Sequence, residues 1–232
     1  MNTSTETPIK IDIVSDVACP WCYVGKRRLE KALAQWDGAP VEIEWHPYQL
    51  DPNMPKDGLT RDTYLGNKFG DIARAKQMTD HLTNVGKEEG IDFDFGDTWL
   101  AVNTLPLHQM LAIAGQEGFK NELKERFLKA YFVETLHLND VTVLEAIGAE
   151  FGWSTEKVQH IIQNKELGKV IQQKIAQYQE RGVSGVPFFI INNTYGISGA
   201  QPAEVFLNAF KQITTLENTP EGESCDINGE NC

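Results

Sequence analysis

Positive charge is scarce in this 232-residue chain: 21 Lys and Arg stand against 33 Asp and Glu, for a formal net charge of −12. Nucleic-acid affinity rests on clustered cations that displace counterions, and attraction to anionic lipid needs the same clusters. Neither a nucleic acid nor a membrane surface is an expected partner. Long apolar runs are missing too, and nothing approaches the roughly 20 residues needed to span a bilayer. Met1 to Pro8 is polar, without the basic start and apolar stretch of a secretion signal. No phosphate-binding or dinucleotide glycine fingerprint occurs, so no cofactor is expected. The histidines His46, His81, His108, His137 and His160 show no paired metal spacing and read as packing or surface residues. Cysteine is rare, with four in all. With neither a secretion signal nor a membrane-spanning run, the chain is expected in the cytoplasm, where structural disulfides are uncommon. Cys19, Cys22, Cys225 and Cys232 then read as catalytic, redox-sensing or metal-binding.

What is present is the pattern of an α/β protein with a large helical interruption. Ile9–Val14 and Val41–His46 have strand character, the second with strict alternation. Between them Pro20–Gln35 carries helical spacing, with Pro20 where a first-turn proline is tolerated. After a loop at Pro47–Gly58 the segments Arg61–Glu89, Leu105–Gly115, Phe119–Tyr131, Val141–Phe151, Thr155–Ile162 and Glu166–Arg181 all read as helices. Asn103 and Ser154 are plausible caps. Strand character returns at Pro187–Asn192 and Tyr195–Ser198, joined by a turn at Asn193-Thr194, before a last helix at Pro202–Ile213. The acidic stretch from Glu217 to Cys232 is expected to be a mobile tail. The expected organisation is a sheet-bearing domain in two parts, 9–59 and 182–214. A helical insertion at 60–181 interrupts it, and a tail at 215–232 follows.

Cys19-Pro20-Trp21-Cys22 follows a strand and opens a helix. A helix start offers unsatisfied N–H groups and partial positive charge that favour a thiolate. On that basis Cys19 is the expected exposed nucleophile, with a pKa of roughly 5–6.5. Cys22, one turn in and facing inward, is the expected resolving thiol. A lone C-x-x-C also suits half of a zinc site, but zinc knuckles sit on tight turns rather than between strand and helix.

A second segment, Gly182-Val183-Ser184-Gly185-Val186-Pro187-Phe188-Phe189, places a proline at the start of a strand. Together the two motifs, around an insertion of this length, resemble the DsbA family, and within it the cytoplasmic FrnE-like branch. The resemblance runs from about Ile9 to Ile213. It implies a thioredoxin-like fold, a mixed sheet flanked by helices, with an inserted all-helical domain. It also implies thiol-disulfide oxidoreductase or isomerase activity on protein disulfides. Cys19 and Cys22 would be the redox pair, Pro20, Trp21, Val186 and Pro187 would contact substrate, and Val186-Pro187 would be cis. Expected partners are proteins with disulfides or thiols, with glutathione a second candidate.

Departures from the family pattern are visible. Thioredoxins carry a buried acid six residues before the first cysteine, where this chain has Ile13. Asp16 is the nearest carboxylate, and a solvated loop or cap role suits it at least as well, so the proton acceptor for Cys22 is unassigned. Trp21 stands where periplasmic DsbA proteins have a histidine. Cys225 and Cys232, around an Asn-Gly turn signal, suit an auxiliary redox pair, a metal chelate or plain tail thiols, the first being what FrnE-like proteins with such a pair suggest. Two other functions remain open. One is a glutathione-using enzyme of the 2-hydroxychromene-2-carboxylate isomerase or kappa-class transferase type, whose members usually carry serine at the cysteine position. The other is a non-catalytic zinc module built on all four cysteines.

Overall fold

Ile9, Ile11, Ile13 and Val14 are buried in the first strand, β1 (Ile9–Ser15), because it lies at the centre of the sheet. On one side it pairs in parallel with β2 (Val41–Pro47), Ile13 opposite Trp45. On the other it pairs antiparallel with β5 (Phe188–Ile191), Ile13 opposite Phe189, and β5 continues antiparallel into β6 (Tyr195–Ser198). The strand order is β2-β1-β5-β6. Residues 7–217 are described by this computed structural model.

The helix α1 (Pro20–Leu33) connects β1 to β2 and, with the last helix, α9 (Ala203–Glu217), covers one face of the sheet. Leu29 and Ala32 of α1 and Phe206 and Phe210 of α9 join the buried Ile residues of β1 in one core. Between β2 and β5 the chain is almost wholly helical: α2 (Arg61–Phe69), α3 (Ile72–Glu88), α4 (Leu105–Glu117), α5 (Lys120–Phe132), α6 (Val141–Glu150), α7 (Thr155–Gln163) and α8 (Lys165–Glu180). Their shared core holds Leu107, Met110, Phe127 and Tyr131 and extends to Val17, Tyr23 and Val24 beside the cysteine motif. The insertion and the start of α1 are thus packed as one body of apolar side chains.

Two local expectations need correction. The single helix expected over Arg61–Glu89 is broken: Gly70 takes the left-handed conformation (φ 72°) that ends α2, and the Asp71 carboxylate accepts from Ala73 N–H at 2.9 Å to cap α3. A two-stranded ribbon, β3 (Leu59–Thr60) with β4 (Leu100–Ala101), was not expected, since each piece is only two residues long. The hairpin turn spans Asn192 to Thr194, between the paired Ile191 and Tyr195, and contains the expected Asn193-Thr194; Asn192 and Asn193 have positive φ. Ser154 caps α7 as expected, accepting from Lys157 N–H at 3.2 Å. The Asn103 side chain accepts from Leu105 N–H at 3.1 Å, although Thr104 occupies the backbone cap position. The tail cysteines Cys225 and Cys232 lie outside the described residues.

Candidate active site

Cys19 is the N-cap residue of α1, with Pro20 in the first turn where its missing N–H costs nothing. Its Sγ accepts from the Cys22 N–H at 3.2 Å and lies 3.4 Å from the Val186 carbonyl oxygen, which the thiol faces as donor. The Val186-Pro187 bond is cis, as the resemblance implied. Sequence positions 167 apart therefore meet at one sulfur. Gly25 favours this approach: a Cβ there would stand 3.0 Å from Pro187 Cγ and 3.2 Å from Phe189 Cζ, a tight fit that glycine avoids. Trp21 is half-buried, its ring centroid 6.0 Å from that of His81 on α3. Both cysteines are free thiols.

Cys19 is only 3% exposed, which corrects the expectation of an exposed nucleophile. The reason is the insertion: Tyr64 and Leu65 of α2 and Leu82 of α3 form, with Trp21 and Val186, the walls of a cavity of about 220 Å³ onto which Cys19 opens. Burial also pushes the Cys19 thiol well above its ordinary pKa, with the neighbouring Cys22 adding to the effect and the Cys22 N–H opposing it. That burial opposes the acidification expected of Cys19 at the helix start. Burial penalises the Cys22 thiolate as well, but hydrogen bonding with Cys19 and the Lys124 ammonium outweigh it and hold that thiol below its ordinary value.

Behind Cys22 sits a buried polar cluster that the sequence did not reveal. Ile13, at the thioredoxin acid position, is plain core at 1% exposed, but Asp16 is fully buried rather than solvated. Its carboxylate accepts from Leu50 N–H at 2.8 Å and from His108 Nε2 at 3.2 Å. His108 Nε2 also lies 2.7 Å from the Tyr48 carbonyl, an obligate acceptor, so that nitrogen carries the proton. Burial raises the Asp16 pKa, yet His108 and the Leu50 N–H more than compensate and the carboxyl stays below its usual range. Lys124 on α5 is 1% exposed, and burial pulls its pKa down against the opposing pull of Cys22 and Asp16. It borders a second cavity of about 320 Å³, shared with Ser15, His46 and His108. A signal for Lys124 did exist: it interrupts the stripe Leu123, Phe127, Leu128, Tyr131, where a lysine is out of place. Nothing marked His108, whose partner is 92 residues away. Among the described residues no group of three or more His, Cys, Asp and Glu side chains is arranged to hold a metal ion.

The sequence matches the DSBA-like thioredoxin domain over residues 10–211. The chain belongs to that family. It is similar to the probable DsbA oxidoreductase of Streptomyces coelicolor, at 33% identity and a TM-score of 0.82, over 95% of this chain and 97% of that one. A 2-hydroxychromene-2-carboxylate isomerase shares the fold at 15% identity, with a TM-score of 0.71 over 90% of this chain and 97% of the other. So does the cytosolic disulfide reductase DsbM from Pseudomonas aeruginosa, solved with GSH, at 17% identity and a TM-score of 0.61, over 88% and 99% of the two chains. The fold is thioredoxin-like with a helical insertion, and the family is one of thiol-disulfide oxidoreductases. No helix among the described residues is long and apolar enough to cross a membrane.

Proposed function

We propose that the protein catalyses thiol-disulfide exchange through Cys19 and Cys22, with Cys19 attacking and Cys22 resolving. The observation that carries this reading is the position of Cys19 Sγ, at the N-cap of α1 and 3.4 Å from the Val186 carbonyl. In the reducing direction the Cys19 thiolate attacks one sulfur of a substrate disulfide. That S–S bond breaks, its other sulfur leaves as a thiolate and takes a proton, and a mixed disulfide forms on Cys19. The Cys22 thiolate then attacks Cys19 Sγ and expels the second substrate thiol. Two electrons have passed to the substrate, and Cys19–Cys22 is left as a disulfide. Run backwards, the same steps oxidise a dithiol.

Other residues have supporting roles in this scheme. The backbone at Val186-Pro187, with Pro20 and Trp21, contacts the substrate beside the sulfurs. Lys124 stabilises the Cys22 thiolate through its charge. Substrates are proteins carrying disulfides or thiols, with glutathione a second partner, as the likeness to DsbM suggests. The C-P-W-C string, the Val186-Pro187 segment and the cysteine-bearing tail support placement in the FrnE-like cytoplasmic branch. The isomerase reading is weaker, because a second thiol at Cys22 has no task in it.

Single substitutions test the division of labour. Cys19→Ser should abolish disulfide reduction, a loss of at least a thousandfold. Cys22→Ser should accumulate a mixed disulfide that mass spectrometry locates on Cys19. A mixed disulfide found on Cys22, or equal residual activity in the two variants, sinks the assignment.

A further inference from the structure

Three lysines of this acidic chain converge on one cavity, the space of about 320 Å³ on the Cys22 side of the sheet. Lys120 and Lys124 of α5 and Lys174 of α8 line it, with His46 and His108. One carboxylate, Glu44, lines it as well, and Lys120 already takes that one at 2.7 Å. The two histidines are engaged by Asp12 and Asp16. Lys124 and Lys174 are left, and neither has a hydrogen-bond or ion-pair partner among the described residues. Burial and the repulsion of Lys120 pull the pKa values of both downward. Lys124 is 1% exposed, and its ammonium lies 5.7 Å from the centre of the Trp45 ring, another wall of the cavity. Among the described residues, the buried polar atoms that are both unpartnered and shut off from solvent are Ser15 Oγ, His46 Nδ1, Arg61 Nε, Trp99 Nε1 and Tyr131 Oη. Lys124 Nζ is not one of them, so it keeps accessible surface, and the open space beside it is this cavity. A buried cation held among like charges, with no anion at hand, is costly.

We infer that this cavity binds a small organic carboxylate, its charged end at Lys124 and Lys174 and its apolar body between α4 and α8. The other walls give the class of ligand. Trp45, Leu111, Ala112, Leu167 and Ile171 are apolar, so a bare inorganic anion would leave most of the cavity without contacts. A volume of about 320 Å³ is at the small end of ligand sites. Val170, on the same lining, is 56% exposed, so the cavity opens to solvent along α8. The site is separate from the cavity at Cys19, but it has a consequence for the cysteines. Lys124 is the same cation that favours the Cys22 thiolate. A carboxylate seated on it offsets that charge, leaves less Cys22 as thiolate, and slows the release of substrate from Cys19. This last effect rests on the proposed exchange reaction; the binding itself does not.

Calorimetric titration of the full reduced chain at constant ionic strength tests the site with four probes. Hexanoate has the charge and the apolar body, hexanamide the body alone, acetate the charge without the body, and inorganic phosphate charge only. Hexanoate should bind with a Kd of about 1 mM or tighter, at least tenfold tighter than each of the others. Lys124→Met and, nearer the mouth, Lys174→Gln should each cut the preference for hexanoate over hexanamide severalfold. Ala112→Phe, which fills the cavity, should abolish binding of both. The preference is a ratio within one protein, and Lys174 is partly exposed, so loss of fold does not imitate its decline. Equal binding of hexanoate and hexanamide, phosphate or acetate as tight as hexanoate, or no saturable binding overturns the inference. In single turnovers of the wild-type protein, saturating hexanoate should slow release of substrate from Cys19 severalfold, and hexanamide should not. Binding without that slowing overturns the link to Cys22. If no mixed disulfide forms on Cys19 at all, the exchange reading fails, and the titrations still decide the site.

Discussion

Lys124 is the residue whose environment and chemistry are hardest to separate. A lysine 1% exposed among apolar helices is costly unless its charge has a use, and its ammonium lies 5.7 Å from the centre of the Trp45 ring. Its charge favours the thiolate of Cys22, which in the proposed scheme is the form that attacks the mixed disulfide. Lys124→Met keeps the length of the side chain and removes the charge. In a background with Cys19, Cys225 and Cys232 all replaced by Ser, where Cys22 is the sole cysteine, ultraviolet thiolate absorbance should show the Cys22 midpoint moving upward. In the wild-type background, release of substrate from Cys19 at neutral pH should slow severalfold. An unmoved midpoint would show that Lys124 is there for packing alone. Asp16 and His108 were legible only as residue types: burial turned a carboxylate read as solvated into a fully enclosed one.

At the scale of elements, the contact between α1 and the loop before β5 sets the site. Glycine inside a helix ordinarily costs about 0.5–1 kcal/mol relative to alanine, so Gly25→Ala would stabilise α1 in isolation. Here the added methyl meets the Pro187 ring at 3.0 Å and Phe189 at 3.2 Å. Neither is the end of a flexible chain, and overpacking of this kind costs about 1–3 kcal/mol. The clash wins. Gly25→Ala should lower the melting temperature by about 3–8 °C and reduce turnover as the Val186 carbonyl is moved from Cys19. A variant as stable and active as wild type would mean that the loop yields freely. Sequence periodicity located α1, β1 and β2 closely, because their apolar positions follow one period each. It merged α2 with α3, since the break is a single capped turn at Gly70-Asp71 inside an unbroken helical pattern.

For the whole molecule, ion pairs tie the thioredoxin-like part to the insertion. Lys26 on α1, 4% exposed, lies 2.7 Å from Glu125 on α5, and Arg27 and the Tyr23 hydroxyl reach the same carboxylate. Burial pushes the Glu125 pKa up, but Lys26 and Arg27 outweigh it and the folded-state value is lowered. A carboxyl depressed on folding stabilises the protein above its unfolded pKa, near 4.3, and that contribution fades as pH falls through the lower folded value. Glu125→Gln should therefore cost about 1–3 kcal/mol at neutral pH, allowing for partial exposure of the carboxylate. The difference from wild type should narrow as pH falls below about 4 and close below the folded-state value. Urea midpoints across that range check it; a gap independent of pH would assign the loss to packing instead.

The amino-acid sequence by itself determined the local features: the helix that starts at the C-P-W-C motif, the strands on either side, the proline ahead of β5 and the helical interruption between. Each follows from neighbours within a few residues, where periodicity, caps and proline geometry act directly. Only the tertiary structure decided how Cys19 meets Val186, that Asp16 and His108 are partners, that Lys124 lies behind Cys22, and that the insertion encloses Cys19 in an apolar cavity. Those outcomes depend on groups far apart in the chain, and on the loss of water around them, which alters charge and reactivity in ways that no local pattern encodes.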